Sequence, residues 1–270
     1  CKASPARRVV RFVDHRINQP QIENTERPAL VFLHGFNGSS KSWACQFAHF
    51  TSQTVIAIDA PGFGESQVVD GGMVAIADEV AALISSLVKG KAVIIGHSMG
   101  GMLAQVLGAT HPDRCQAIIL SCTHKGRAQP VGSPLGAAVQ ERIQQREVMD
   151  DASYGALRVG KMLSGKIDPQ MMAFLAAIAG EIRVEGIRCG GFAMQYLDTS
   201  PFLEKITAPV AIFTGADDVV VKPDAAAALK AGLPQAHHWL LADVGHAPYC
   251  EDAASFNASI EAFLDKVLAG

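Results

Sequence analysis

No block of basic residues occurs in the chain, so nothing reads as a nucleic-acid footprint. No apolar run is long enough to cross a bilayer, and no segment has the pattern of a signal peptide. The cysteines (Cys1, Cys45, Cys115, Cys122, Cys189 and Cys250) match neither the spacing of a zinc site nor a C-x-x-C redox pair. Scattered singly, they read as buried, reduced residues of a cytoplasmic protein. Internal repeats and low-complexity stretches are missing. No His/Asp/Glu group has metal-ligand spacing, and no cofactor motif is present. Charge is sparse: 18% of the 270 residues are charged against 49% hydrophobic, with a net charge of −3. That balance excludes a disordered chain and fits one well-buried domain, or a domain with an insertion. Cys1 stands where a starting Met is usual, so a processed or truncated start is expected.

What is present centres on Gly96-His97-Ser98-Met99-Gly100, a G-x-S-x-G pentapeptide. The apolar run 92–95 precedes it and a helical pattern from Gly101 follows. Strand, sharp turn and helix are the setting in which this motif lifts a serine out of the backbone as a nucleophile. The small residues leave room for a turn that holds the serine in an unfavourable conformation.

The rest of the chain supplies a frame for that turn. Residues 9–13 and the segment around Arg16 and Ile17 read as a short hairpin. Near-continuous apolar strands follow at 29–33, 54–58, 92–95 and 117–120, alternating with helices. This pattern predicts an α/β fold with a mostly parallel sheet covered on both faces. Such sheets gather their chemistry at the carboxyl ends of the strands, where His34, Asp59, Ser98 and Cys122 all fall. From 125 to 207 the pattern turns helical, with helices expected near 135–148, 151–162, 169–179 and 184–197. Strand and helix resume at 210. The expected organisation is a core of 1–124 and 208–270, with a helical cap of 125–207 over the active edge.

A serine hydroxyl needs a base to take its proton and a third group to orient that base. The strand ending at Phe213 leads to Asp217 and Asp218, and the strand 238–241 leads to His246. The order serine, acid, histidine fits the nucleophile-elbow arrangement. Charge developing on a carbonyl oxygen needs fixed N–H donors. The candidates are the backbone N–H of Met99, at a helix start, and that of Phe36, in the loop after Leu33.

Together, His34-Gly35-Phe36, Asp59-Ala60-Pro61-Gly62-Phe63-Gly64-Glu65-Ser66, Gly96-His97-Ser98-Met99-Gly100-Gly101, Gly215-Ala216-Asp217-Asp218 and Gly245-His246-Ala247-Pro248 resemble the α/β-hydrolase superfamily. The resemblance runs from about Pro28 to Leu268. It implies serine-type hydrolysis through an acyl-enzyme, without cofactor or metal: Ser98 attacks, His246 relays the proton and Asp218 holds the imidazole. The family places its acid third after the glycine, which selects Asp218, although the usual proline falls one place late, at Pro223. Within the superfamily the chain looks most like small esterases and 3-oxoadipate enol-lactonase-like enzymes. The implied substrate is a small carboxylic ester or lactone, for a monomer or homodimer with no membrane or nucleic-acid partner. Three alternatives stay open. One is a carbon–carbon hydrolase acting on diketone ring-cleavage products, against which Ala247 weighs. The others are a lyase like the menaquinone-pathway synthases and a hydrolase-fold receptor with negligible turnover.

Several residues invite a sharper reading than they bear. His97 is expected to pack, and His34 to shape the oxyanion loop. Cys122 has no elbow to make it a nucleophile. Met162, Met171, Met172, Phe174 and Met194 are candidates for an acyl pocket, but their helical spacing reads as packing. Arg142, Arg146, Arg158, Arg183 and Arg188 could bind a substrate carboxylate, but they lie among acids that roughly cancel their charge, so a solvated helix face is expected for most of them. A small cavity over Ser98 with two arginines turned inward would instead favour a dicarboxylic substrate.

Overall fold

A computed structural model describes residues 13–19, 27–160, 162–163 and 167–268. The first half of the chain forms β1 (His15–Asn18), β2 (Leu30–Leu33), α1 (Ala44–His49), β3 (Val55–Ile58), α2 (Gly72–Leu87), β4 (Ala92–His97), α3 (Met99–Thr110) and β5 (Cys115–Ser121). Helices α4 (Ala137–Val148), α5 (Asp151–Val159), α6 (Pro169–Gly180), α7 (Val184–Tyr196) and α8 (Ser200–Leu203) follow without an intervening strand. The chain ends with β6 (Val210–Gly215), α9 (Pro223–Gly232), β7 (His237–Leu241), α10 (Pro248–Glu251) and α11 (Ala253–Leu268).

The strands form one seven-stranded sheet in the order β1-β3-β2-β4-β5-β6-β7. Every pairing is parallel except β1 with β3, where His15 lies opposite Ile58. The parallel, doubly covered sheet matches the expectation from the apolar runs. Of the N-terminal hairpin, residues 9–12 lie outside the described residues. Arg16 and Ile17 lie in β1, which takes the edge of β3. Among the described residues, no helix is long and apolar enough to cross a membrane.

Strand side chains alternate between the two faces, so each face has its own core. Val31, Leu33, Ile56, Ile94 and Ile118 pack with Ile76 and Val80 of α2 and with Leu103 and Leu107 of α3. Leu30, Phe32, Val55, Ile95, Ile119 and Phe213 pack with Phe256, Ile260 and Phe263 of α11 on the other side. The rings of Phe213 and Phe256 meet edge to face at 5.8 Å. Burial on both faces explains why these strands are apolar throughout rather than alternating.

In the helical insertion, local start signals set the boundaries. Asp150 accepts the Ser153 N–H at 2.8 Å, and Asp168 accepts those of Gln170 and Met171 at 2.8 and 3.2 Å, with Pro169 at the first helical position. The two ends of the insertion are tied together. The Thr199 N–H donates to the Lys125 carbonyl at 2.8 Å, and a β-bridge joins Gly126 to Asp198. The buried Thr199 hydroxyl donates to Gln105 Oε1 at 2.6 Å, and Gln105 Nε2 donates to the His124 carbonyl at 3.1 Å. The insertion therefore leaves and returns at one point, anchored to α3. A Thr199→Val substitution keeps the shape but leaves the buried Gln105 oxygen without its donor. It is expected to cost about 1–3 kcal/mol in denaturant unfolding, and a double-mutant cycle with Gln105→Leu is expected to recover part of that loss.

Candidate active site

Ser98 sits between β4 and α3 at φ 52, ψ −113, the left-handed side of backbone space that L residues avoid. Hydrogen bonds hold it there. Its N–H donates to the Ser121 carbonyl at 2.9 Å. Its own carbonyl accepts from the N–H groups of Gly101 and Met102 at 3.0 and 3.2 Å, and from the Thr123 hydroxyl at 2.6 Å. The flanking glycines are a steric necessity. A Cβ on Gly96 would fall on the Gly100 carbonyl, and one on Gly100 would fall on the Leu33 carbonyl.

The loops after β6 and β7 bring an acid and an imidazole to this turn. Ala216 N–H donates to the Leu241 carbonyl and Asp217 N–H to that of Val244, both at 2.9 Å, which locks one loop to the other. His246, 3% exposed, places Nε2 3.1 Å from Ser98 Oγ, although the two residues are 148 positions apart. Its Nδ1 lies 2.9 and 3.1 Å from the Asp218 oxygens. With Nδ1–H donated to a carboxylate, the Nε2 lone pair faces the serine hydroxyl. Asp217 is exposed, so Asp218 is the acid that meets the histidine. Burial works to raise the Asp218 carboxyl, but the His246 hydrogen bond and charge, with the Val221 and Val220 N–H groups, outweigh it and hold the group below its ordinary value.

Sequence reasoning missed Glu251. From the first turn of α10 its carboxylate accepts the N–H of Gly245 at 3.1 Å and of Ala247 at 2.8 Å, bracketing His246. The signal was available: an acid in the first helical turn reaching back to N–H groups before it is the logic of a capping box.

The loop after β2 closes on itself, Gly38 N–H donating to the Gly35 carbonyl at 2.9 Å. Gly35 lies against the elbow, where an added Cβ would stand 3.2 Å from that of Ser98. The His34 ring pins this loop, Nδ1–H donating to the Gly35 carbonyl at 2.8 Å and Nε2 accepting the Ala60 N–H at 3.0 Å. Burial lowers the proton affinity of His34 against the pull of Asp59, in keeping with this neutral structural use. The Phe36 N–H in this loop and the Met99 N–H at the start of α3 have no backbone acceptor among the described residues.

His97 packs, as expected. Its ring lies 4.8 Å from that of His246 and 4.9 Å from that of Tyr249. Burial, with the charge of His246, drives its proton affinity well below the usual value. Cys122 comes within 4.8 Å of the ligand atoms of Asp218 and His246, but burial and the Asp218 charge push its thiol up, so it stays protonated.

A cavity of about 160 Å³ opens over Ser98 and His246, walled by Phe36, Met162, Met194 and Tyr249. Met162 and Met194 thus reach the site, whereas Met171, Met172 and Phe174 do not line it. The arginine expectation needs correction. Arg142 and Arg158 line this cavity instead of a solvated face, and Arg158 is only 7% exposed. Arg127, not singled out by the sequence, joins them. Arg146 pairs with Asp151 at 2.8 Å, and Arg183 donates to the carbonyls of Gly62 and Ser66 at 3.1 and 2.7 Å. Of the five, Arg188 alone keeps the exposed position expected of most of them. Local charge balance failed as a guide because neighbours in sequence point to different sides of their helices. A larger hollow of about 700 Å³, beside Val68, Met73 and Phe192, does not include Ser98.

Known proteins share this architecture over nearly the whole chain. A pimeloyl-[acyl-carrier protein] methyl ester esterase of Citrobacter koseri is 27% identical over 259 residues, covering 92% of this chain and 98% of that protein. A thermophilic esterase from Thermogutta terrifontis, solved with malate bound, aligns with a TM-score of 0.78 at 25% identity, over 94% of this chain and 93% of that one. The enol-lactonase from Burkholderia xenovorans LB400 aligns with a TM-score of 0.80 at 22% identity, over 93% and 96%. The family model for the alpha/beta hydrolase fold matches residues 28–253, and the chain belongs to that family.

Proposed function

We propose that this protein is a serine hydrolase that transfers the acyl group of a small carboxylic ester or lactone to water through an acyl-enzyme on Ser98. One observation carries the reading: His246 Nε2 lies 3.1 Å from Ser98 Oγ while its Nδ1 is held by both oxygens of Asp218. The likeness to an esterase, a methyl ester esterase and an enol-lactonase supports the same reaction class.

In the first half-reaction Ser98 Oγ bonds to the carbonyl carbon and its proton passes to His246 Nε2. The carbonyl oxygen becomes an oxyanion. The N–H groups of Met99 and Phe36 receive it, with the α3 dipole adding to the field. Collapse of the tetrahedral species breaks the ester C–O bond, and the leaving alkoxide takes the proton from Nε2. In a lactone the leaving oxygen stays tethered to the acyl chain. Water then attacks the acyl carbon, gives its proton to Nε2, and Ser98 leaves, taking that proton back. Asp218 stabilises the imidazolium in each half without itself being protonated.

The helical segment 125–207 acts as the cap of this site. Met162, Met194, Arg142 and Arg158 come from it to the cavity, and the His246 N–H donates to the Met162 carbonyl at 3.3 Å. The cavity is well below the roughly 300–1,000 Å³ of pockets for drug-sized ligands, so the acyl group is short.

Ser98→Ala is expected to lower turnover of p-nitrophenyl acetate by about 10⁴-fold or more with the unfolding curve preserved; sustained turnover by the purified variant would remove the assignment. Asp218→Asn is expected to lose about 10³–10⁴-fold in kcat and Asp217→Asn little, and the opposite ranking would exchange their roles. Glu251→Ala is expected to lower kcat by about ten- to a hundredfold by loosening the 245–247 backbone, with Glu251→Gln, which keeps one acceptor, losing less. Steady-state kinetics on the five variants reads these effects directly.

A further inference from the structure

We propose that the cavity over Ser98 is built for a substrate that carries a free carboxylate on its acyl group, bound by Arg142 and Arg158 of the helical insertion with Arg127 at the rim. The inference rests on Ser98 being the nucleophile and adds the substrate class to that reading.

Both guanidinium groups donate to neutral partners. Arg158 is almost fully buried, yet its Nη2 donates at 2.6 Å to the neutral amide oxygen of Gln145, and its Nε has no partner among the described residues. Arg142 Nη1 donates at 2.7 Å to another neutral amide oxygen, that of Asn37. The remaining support is aromatic, Arg142 lying 5.1 Å over the Phe36 ring and Arg158 5.3 Å over that of Tyr154. Arg146, about one turn after Arg142 on α4, pairs instead with Asp151. Nearby acids were therefore available to the insertion, but they are spent outside the cavity.

Among the described residues, no acidic side chain lines the cavity, whereas three arginines do. Burial and the positive charges of Arg158 and Arg127 weaken the hold of Arg142 on its proton, outweighing the opposing influence of Tyr154 and Glu141. A buried cation without a counter-charge is costly unless something pairs with it. A planar guanidinium fork with free N–H donors is matched by a carboxylate.

The position of the pair fixes which part of the substrate is charged. Arg142 contacts Asn37 and Phe36, both in the loop that carries the candidate oxyanion donor. Arg158 and Met162 stand on the same stretch of the insertion, and both line the cavity with Ser98. With only about 160 Å³ available, the charged group and the scissile carbonyl are separated by a short chain. The fitting substrates are a monoester of a short dicarboxylic acid, or a lactone bearing a carboxylate.

The test compares mono-p-nitrophenyl glutarate with p-nitrophenyl butyrate, which share a leaving group and differ in acyl charge. The wild-type protein is expected to favour the glutarate ester in kcat/KM by about a hundredfold, with the preference shrinking at high salt. Arg142→Met and Arg158→Met are each expected to reduce that preference about tenfold, mostly through KM, and the corresponding Lys variants to keep part of it. Equal kcat/KM for the two esters in the wild-type protein, or a preference that survives both Met variants, would overturn the proposal. Should a Met variant fail to fold, the wild-type comparison still decides.

Calorimetric binding of glutarate to Ser98→Ala separates this inference from the hydrolytic reading. Binding that weakens in the Arg158→Met background supports the carboxylate site even where neither ester is hydrolysed. Turnover of the neutral ester with no glutarate binding retains the hydrolase and rejects the site. Inorganic phosphate is the control for anion identity, and binding of phosphate in place of glutarate would reject the carboxylate.

Discussion

The backbone of Ser98 is held where a serine does not willingly go, and the rest of the site is arranged around that constraint. A conformation of this kind costs on the order of 1–3 kcal/mol. The offset comes from its neighbours: the Ser121 carbonyl takes the Ser98 N–H, and Gly101, Met102 and Thr123 share the Ser98 carbonyl. These partners belong to β5, to α3 and to the loop that follows β5. The strain is thus spread over elements that are themselves anchored in both cores. Relaxing the turn would mean moving the sheet.

The same sheet explains how residues so distant in sequence meet. Parallel strands all point their carboxyl ends one way, so the loops after β2, β4, β5, β6 and β7 open along one edge. The order of strands then decides proximity. β4 lies between β2 and β5, which sets the loop carrying Phe36 on one side of the serine and Cys122 and Thr123 on the other. β6 and β7 follow, delivering Asp218 and His246 from the far half of the chain. Glu251 then holds the backbone on both sides of the histidine, so the base is positioned by its main chain as well as by Asp218.

Much of this was legible in the residues because the relevant signals are local. Apolar runs gave the buried strands, and the small residues around Ser98 gave the elbow. The preference for Asp218 came from motif position, and the structure brings that residue to His246 while leaving Asp217 exposed. What was not legible depends on which side of a helix faces inward in three dimensions. Arg142 and Arg158 sit among Glu141, Glu147, Asp150 and Asp151, and a balance drawn along the chain treats all six as one solvated group. Folding separates them: Asp150 caps α5, Asp151 takes Arg146, and the two remaining arginines turn to the cavity. Glu251 was overlooked for a different reason, since its contacts are to backbone N–H groups and its one signal was its place in the first turn of a short helix. The edge pairing of β1 with β3 likewise depends on long-range register and not on composition.

The cationic cavity also bears on the proton that His246 accepts in the proposed mechanism. Taking the serine proton turns the imidazole into a cation in a space already lined by Arg127, Arg142 and Arg158. Each positive neighbour opposes that step, and the low local dielectric strengthens the opposition. Asp218 supplies one compensating charge from the Nδ1 side. His97, 4.8 Å away, is kept neutral by burial and by His246 itself, so it adds no further charge to the cluster. A carboxylate carried by the substrate supplies a second compensating charge, from the cavity side. On the proposed substrate class, the group that selects the substrate also offsets the field against which the base is charged. Binding and proton transfer then favour the same anionic ligand, and a neutral ester of equal size meets the imidazole with that opposition intact.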